Sequence, residues 1–200
     1  MTLQQSPSKA RLAVLISGSG STLQNLAQHI ADGKLSVSIA GVISSRPDVY
    51  GLVRAKNLHV PHEVIDRRKF PDAADFSDAV FAQIHRYQAD LVIMAGFLSL
   101  LRIAPAFENR VLNIHPALLP KYGGRGMHGM KVHAAVIAAG ESISGCTVHF
   151  ADNQYDHGPI ILQRTCPVLS GDTAEQLAAR VFEQECIAYP EAIERILTNR

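Results

Sequence analysis

Asn113 and His115 lie two residues apart in a short apolar run, Val111-Leu112-Asn113-Ile114-His115-Pro116, and a second proline follows at Pro120. In an extended chain residues two apart share a face, so the amide and the imidazole project together while Leu112 and Ile114 pack the other way. An amide and an imidazole converging at a strand's C-terminal edge can bind an oxyanion and exchange a proton with it. Pro116 lacks a backbone donor and stops the strand, and Pro120 keeps the adjoining segment extended. Taken alone, the pair also fits a core strand ending in a hydrogen-bonded histidine.

A second stretch with chemical potential is Gly18-Ser19-Gly20-Ser21-Thr22, between the aliphatic run Arg11 to Ser17 and the helix-like Leu23 to Ile30. A strand, glycine-rich turn and helix in this order leave the first helical amides unpaired and at positive potential, a setting that stabilises a phosphate. The spacing is neither G-x-G-x-x-G nor a P-loop, so a dinucleotide is not the favoured ligand. The other reading is a tight turn whose serines cap the helix. Asp156 falls in a polar turn, Asp152 to Pro159, where by itself it reads as an Asx-type turn residue, while a carboxylate beside an imidazole favours the imidazolium. Phe97, Leu98, Leu100 and Leu101 form an apolar segment that suits either a flat heteroaromatic ring or plain core packing ahead of the next helix. His128 and His133 are five apart, not the four that put two ligands on one helical face, so no metal site is expected.

The elements that position these groups follow from periodicity. Arg11 to Ser17, Val37 to Ser44, Val60 to Ile65 and Leu91 to Ala95 read as buried strands. The helical segments Val49 to Leu58 and Ala73 to Gln88 separate the later ones, with Phe76, Val80, Phe81 and Ile84 as an inward stripe. This alternation predicts an α/β fold with a doubly wound, mostly parallel sheet. Cys146 to Phe150 and Ile160 to Gln163 flank the Asp152 to Pro159 turn as an antiparallel C-terminal hairpin, with Thr147 and His149 on one face. A final helix starts at Asp172 or Thr173, buries Leu177, Val181, Ile187, Ile193 and Ile196, and should kink or divide at Pro190. Asp66 to Lys69 reads as a solvated loop, and Glu183 and Glu185 as solvated-face charges.

Composition excludes several classes. With 47% hydrophobic and 18% charged residues among 200, the chain is ordinary globular material, expected as one domain over 11–200 after a disordered tail, 1–10. A net charge of +1 without a long basic run gives no reason to expect nucleic acid or membrane partners. Three cysteines without C-x-x-C spacing fit reduced thiols in a cytoplasmic protein.

Several motifs in one order resemble the phosphoribosylglycinamide formyltransferase family. They are Leu15 to Gln24 (LISGSGSTLQ), Ala95-Gly96-Phe97, Asn113 to Pro120 (NIHPALLP), Thr147 to Phe150, Asp156 to Gln163 (DHGPIILQ) and Glu185 to Pro190 (ECIAYP). The resemblance implies a Rossmann-like formyltransferase fold, with a phosphate-binding N-terminal half and a folate-binding, catalytic C-terminal half. It implies transfer of the formyl group of 10-formyltetrahydrofolate, a cosubstrate, to the amine of glycinamide ribonucleotide in purine biosynthesis. In that reading Asn113 and His115 contact the formyl oxygen, Asp156 supports the histidine's charge, and Gly20, Ser21 and Thr22 hold the ribose phosphate. Glu185 contacts the glycinamide end. Leu98, Ser99, Leu100, Leu101, Asn113 and Asp152 lie along the folate, and His149 lines the site. Ser99 and Ala73 stand where many members carry arginine, and the Gly123 to Met130 loop is longer than in some. The competing expectations are a formyltetrahydrofolate hydrolase, a formyltransferase for another amine, and a non-catalytic nucleotide- or folate-binding module. Either a monomer or a homodimer is compatible with the sequence.

Overall fold

The computed structural model describes residues 9–198, so most of the expected tail lies outside the described residues. Seven strands form one sheet in the order β3-β2-β1-β4-β5-β6-β7. They are β1 (Ala10–Ile16), β2 (Val37–Ser44), β3 (His62–Val64), β4 (Leu91–Met94), β5 (Val111–His115), β6 (Ile143–Phe150) and β7 (Ile160–Pro167). The first five run parallel, and β6 and β7 return antiparallel. The helices are α1 (Ser21–Ala31), α2 (Tyr50–Asn57), α3 (Ala73–Arg86), α4 (Met130–Ala138) and α5 (Ala174–Thr198).

β1 is buried from Leu12 onward because helices cover both faces of a central parallel strand. Leu12, Val14 and Ile16 pack with Leu23 and Leu26 of α1 and Leu177 and Val181 of α5. Ala13 and Leu15 face the opposite way and pack with Phe76, Val80 and Ile84 of α3. Because β1 neighbours β2 on one side and β4 on the other, the chain reverses its winding direction between β1 and β4. Open α/β sheets bind ligands at the C-terminal strand ends beside such a switch. The turns after β1 and β4 open there.

Several local expectations are corrected. Ala10, the last residue of the expected tail, pairs with Val37 in β1 and β2. β3 spans only His62–Val64 and its residues are exposed, because an edge strand lacks cover on both sides. Asp66 is buried rather than solvated: it accepts from the Arg68 amide at 3.1 Å and from Arg68 Nη2 at 2.8 Å, capping a single 3-10 turn. The guanidinium holds its carboxyl down at about 2.

Thr173 caps α5 in exchange with Gln176, its amide donating to Oε1 at 2.8 Å while its Oγ1 accepts from the Gln176 amide at 3.3 Å. α5 is then continuous through Pro190. Pro190 has no N–H for the Cys186 carbonyl four residues back, and the Asn25 side chain of α1 donates to that carbonyl at 3.0 Å instead. A tertiary hydrogen bond thus replaces the missing helical one. Ile187 points outward, at 47% exposure, away from the stripe of Leu177, Val181 and Ile193. Beside the proline, Tyr189 is fully buried and its hydroxyl lies 3.0 Å from the Met94 carbonyl and 2.8 Å from the Leu112 carbonyl, tying α5 to β4 and β5.

Candidate active site

The turn after β1 is built by backbone contact. Gly20 caps α1 at φ 73°, a conformation that disfavours a side chain, and an added Cβ would sit 2.7 Å from the Gly51 Cα. The Gly51 amide donates to the Gly18 carbonyl at 3.1 Å, fixing the turn on α2. No side chain caps α1, so the serines do not consume the free amides. The N–H groups of Gly20, Ser21 and Thr22 have no partner among the described residues. Ser17 holds the neighbouring turns together: its hydroxyl lies 2.6 Å from the Ser45 hydroxyl and accepts from the Leu98 amide at 3.0 Å.

At the end of β5 the expected pair converges with two further groups. Asn113 pairs across strands with His149 and His115 with Thr147. The Asn113 amide donates to His149 Nε2 at 3.0 Å and to Asp156 Oδ1 at 3.3 Å. The opposite amide orientation would set its oxygen against the carboxylate. His149 Nδ1 then donates to the Phe150 carbonyl at 2.9 Å, which defines a neutral ring with Nε2 as acceptor. Burial lowers its pKa in agreement. The 3.8 Å approach of His149 Nε2 to Asp156 is therefore no ion pair.

His115 Nε2 donates to the Tyr122 carbonyl at 2.8 Å, and Nδ1 faces Asp156 Oδ2 at 3.4 Å. Both ring nitrogens face protein partners, and the ring is 3% exposed. In this geometry direct contact of His115 with any further group requires one partner to be exchanged. Asp156 also accepts from the Gly124 amide at 2.9 Å. Its carboxylate therefore meets Asn113, His115 and the glycine-rich loop at once.

The loop after β5 is stapled by Thr147 and Gln163, to which the sequence assigned no site role. Thr147 Oγ1 donates to the Ala117 carbonyl at 2.7 Å and accepts from the Leu119 amide at 3.0 Å. Gln163 Nε2 donates to that same Oγ1 at 2.8 Å and to the Leu119 carbonyl at 3.1 Å. Thr147 shares its strand face with His149, and the period of two was the available signal. Which loop it would meet was not.

These groups open into one cavity of about 510 Å3, lined by Gly20, Ser21, Thr22, Asn113, His115, His149, Asp156 and Glu185. Leu98, Ser99, Leu100, Leu101 and Asp152 line it as well, so every expected site residue meets the same space. Leu101, 2% exposed, and Phe97 mainly fill the core against Phe76, whereas Leu98 is 46% exposed. Ala73 begins α3 and is not part of the lining. Arg125, which the sequence reading did not select, is the one Arg or Lys among the described lining residues. Glu185 is not a solvated-face charge: desolvation pushes its carboxyl up to about 7.

Residues 10–193 match the family described as formyl transferase. The chain belongs to the formyl transferase family. It is 38% identical over 192 residues to the phosphoribosylglycinamide formyltransferase of Haemophilus influenzae, covering 95% of this chain and 88% of the relative. It is also 38% identical to the chloroplastic phosphoribosylglycinamide formyltransferase of Vigna unguiculata, covering 96% of this chain and 62% of that protein's length. A crystal structure of glycinamide ribonucleotide transformylase 1 from Symbiobacterium toebii superposes with a TM-score of 0.87 at 39% identity, covering 96% of this chain and 90% of that one. The mixed sheet is the fold it shares with that structure, and the cavity lies at the sheet's switch point. No helix among the described residues is long and apolar enough to cross a membrane.

Proposed function

We propose that this formyl transferase moves the formyl group of 10-formyltetrahydrofolate to the amine of glycinamide ribonucleotide. The observation that carries this reading is a single cavity with free turn amides after β1, Glu185 in its wall, and the Asn113, His115 and Asp156 cluster at the end of β5. Its volume lies in the range that encloses drug-sized ligands, roughly 300 to 1,000 Å3, so a folate fits the space. We read residues 11–200 as one formyltransferase domain of a cytoplasmic enzyme, as monomer or homodimer.

In this mechanism the ribose phosphate rests on the amides and hydroxyls of Gly20, Ser21 and Thr22. The pterin packs along Leu98 to Leu101 and the chain at Asp152. Glu185, as carboxylate, accepts a hydrogen bond from the glycinamide amine and keeps its lone pair directed at the formyl carbon. A carbon–nitrogen bond forms to the amine, and the carbonyl oxygen becomes an oxyanion. Asn113 releases one of its two protein acceptors and donates to that oxygen, while protonated His115, backed by Asp156, supplies positive charge. The bond to folate N10 then breaks, and the proton lost by the amine goes to N10. Holding two substrates at one carbon supplies the proximity contribution.

The test is release of tetrahydrofolate from 10-formyltetrahydrofolate with and without glycinamide ribonucleotide. Amine-dependent release supports the transferase. Equal release without the amine would make it a hydrolase, and silence toward this amine alone would move the assignment to another acceptor.

A further inference from the structure

Arg54 of α2 lies outside the cavity lining yet reaches the turn that forms one end of it. Its Nε donates to the Ser19 carbonyl at 3.1 Å, and Nη1 lies 3.4 Å from Gln24 Oε1 in the first turns of α1. The guanidinium also stacks over the Tyr50 ring, 5.2 Å from its centroid, which limits its orientations. Nη2 has no partner among the described residues.

The Ser19 carbonyl and the Gly20 N–H belong to one planar trans peptide and point in opposite directions. Drawing the carbonyl toward Arg54 therefore aims the Gly20 N–H away from α2, on the side where Gly20 lines the cavity. The turn is closely packed on the α2 side, where a Cβ added at Gly20 would sit 2.7 Å from the Gly51 Cα. We infer that Arg54 is a positioning residue for phosphate recognition: it sets the Ser19–Gly20 peptide so that its amide faces the phosphoryl oxygens. Its charge adds positive potential behind the turn, and it touches no reacting atom. This inference rests on the reading of the Gly18 to Thr22 turn as the phosphate site.

Calorimetric titration with ribose 5-phosphate, on the whole protein, tests it together with steady-state kinetics. For Arg54→Met the expected result is a Kd for ribose 5-phosphate raised about tenfold or more, the size of one lost charge-assisted interaction. The KM for glycinamide ribonucleotide rises in parallel, with kcat and the KM for formyl-folate unchanged. Arg54→Lys retains the charge but cannot span Ser19 and Gln24, so it falls between the two. A general structural lesion would lower kcat and shift both KM values. If Arg54→Met misfolds, Gln24→Leu, which removes only one of the two anchors, is expected to raise the same Kd more modestly. Wild-type binding that persists unchanged in folded Arg54→Met, or in Gln24→Leu where that variant stands in for it, would overturn the inference alone. Absence of ribose 5-phosphate binding by the wild type would overturn the phosphate-site reading and the inference with it.

Discussion

The Asn113 amide donates to Nε2 of His149, its cross-strand partner, at 3.0 Å. The bond fixes the amide's rotation and requires a neutral imidazole, and the Phe150 carbonyl completes that tautomer. His149 therefore holds Asn113 as a rigid stop, and in the proposed mechanism Asn113 is the group that acts on the substrate. Asn113→Ala is expected to lower kcat by about 10²- to 10³-fold, as for other oxyanion donors. His149→Ala should give a smaller loss in kcat with little change in either KM. Single-turnover rates with both substrates saturating would check the order.

Acid should weaken the fold through His149 and His133. Burial lowers both pKa values, and His133 Nδ1 is a buried nitrogen without a partner among the described residues. For a base whose folded pKa is depressed, stability is present above the unfolded value, near 6.5, and is lost as pH falls through the folded value. Urea unfolding should thus give lower stability at pH 5 than at pH 7, and His133→Leu should flatten that decline. An unchanged slope in the variant would remove His133 from the explanation.

Glu185 moves in the opposite sense. Its folded pKa, about 7, lies above the ordinary carboxylate value, so its contribution to stability is complete in acid and is lost as pH rises through about 7. The proposed mechanism uses the carboxylate, so kcat/KM for the amine substrate should rise through the same pH. Glu185→Gln is expected to lose that limb and to match or exceed wild-type thermal stability at pH 8. A pH profile with the same limb in Glu185→Gln would assign the ionisation elsewhere.

The exchange between Asn25 and Pro190 is testable by a double-mutant cycle. Asn25→Ala leaves the Cys186 carbonyl without its donor and should cost about 1 to 3 kcal/mol. In a Pro190→Ala background the helical N–H returns, so the same change should cost measurably less. Additive losses in chemical denaturation would contradict the replacement.

Much of this arrangement was legible in the sequence because it depends on period. The alternation through Asn113 and His115 placed both on one face, and the aliphatic runs placed β1, β2, β4 and β5 in a parallel sheet. The strand–turn–helix at Gly18 to Thr22 was equally local. What period cannot carry is the company a side chain keeps. Glu183 and Glu185 look alike on paper, yet only Glu185 turns into the cavity. Asp66 reads as a loop charge until its capped turn is seen, and Pro190 reads as a break because its substitute donor, Asn25, lies on another helix. His149 could be placed on a face but not opposite Asn113, since register between β5 and β6 depends on the long connection between them.

The central claim, formyl transfer governed by the His115 and Asp156 pair, is tested most directly by following a labelled formyl group. 10-Formyltetrahydrofolate carrying carbon-13 in the formyl position would be mixed with glycinamide ribonucleotide and wild type, His115→Ala or Asp156→Asn. The account predicts label in the formylated amine with wild type, and a rate lower by about 10²-fold or more in folded His115→Ala. Label recovered as free formate, or transfer at the wild-type rate in that variant, would contradict it.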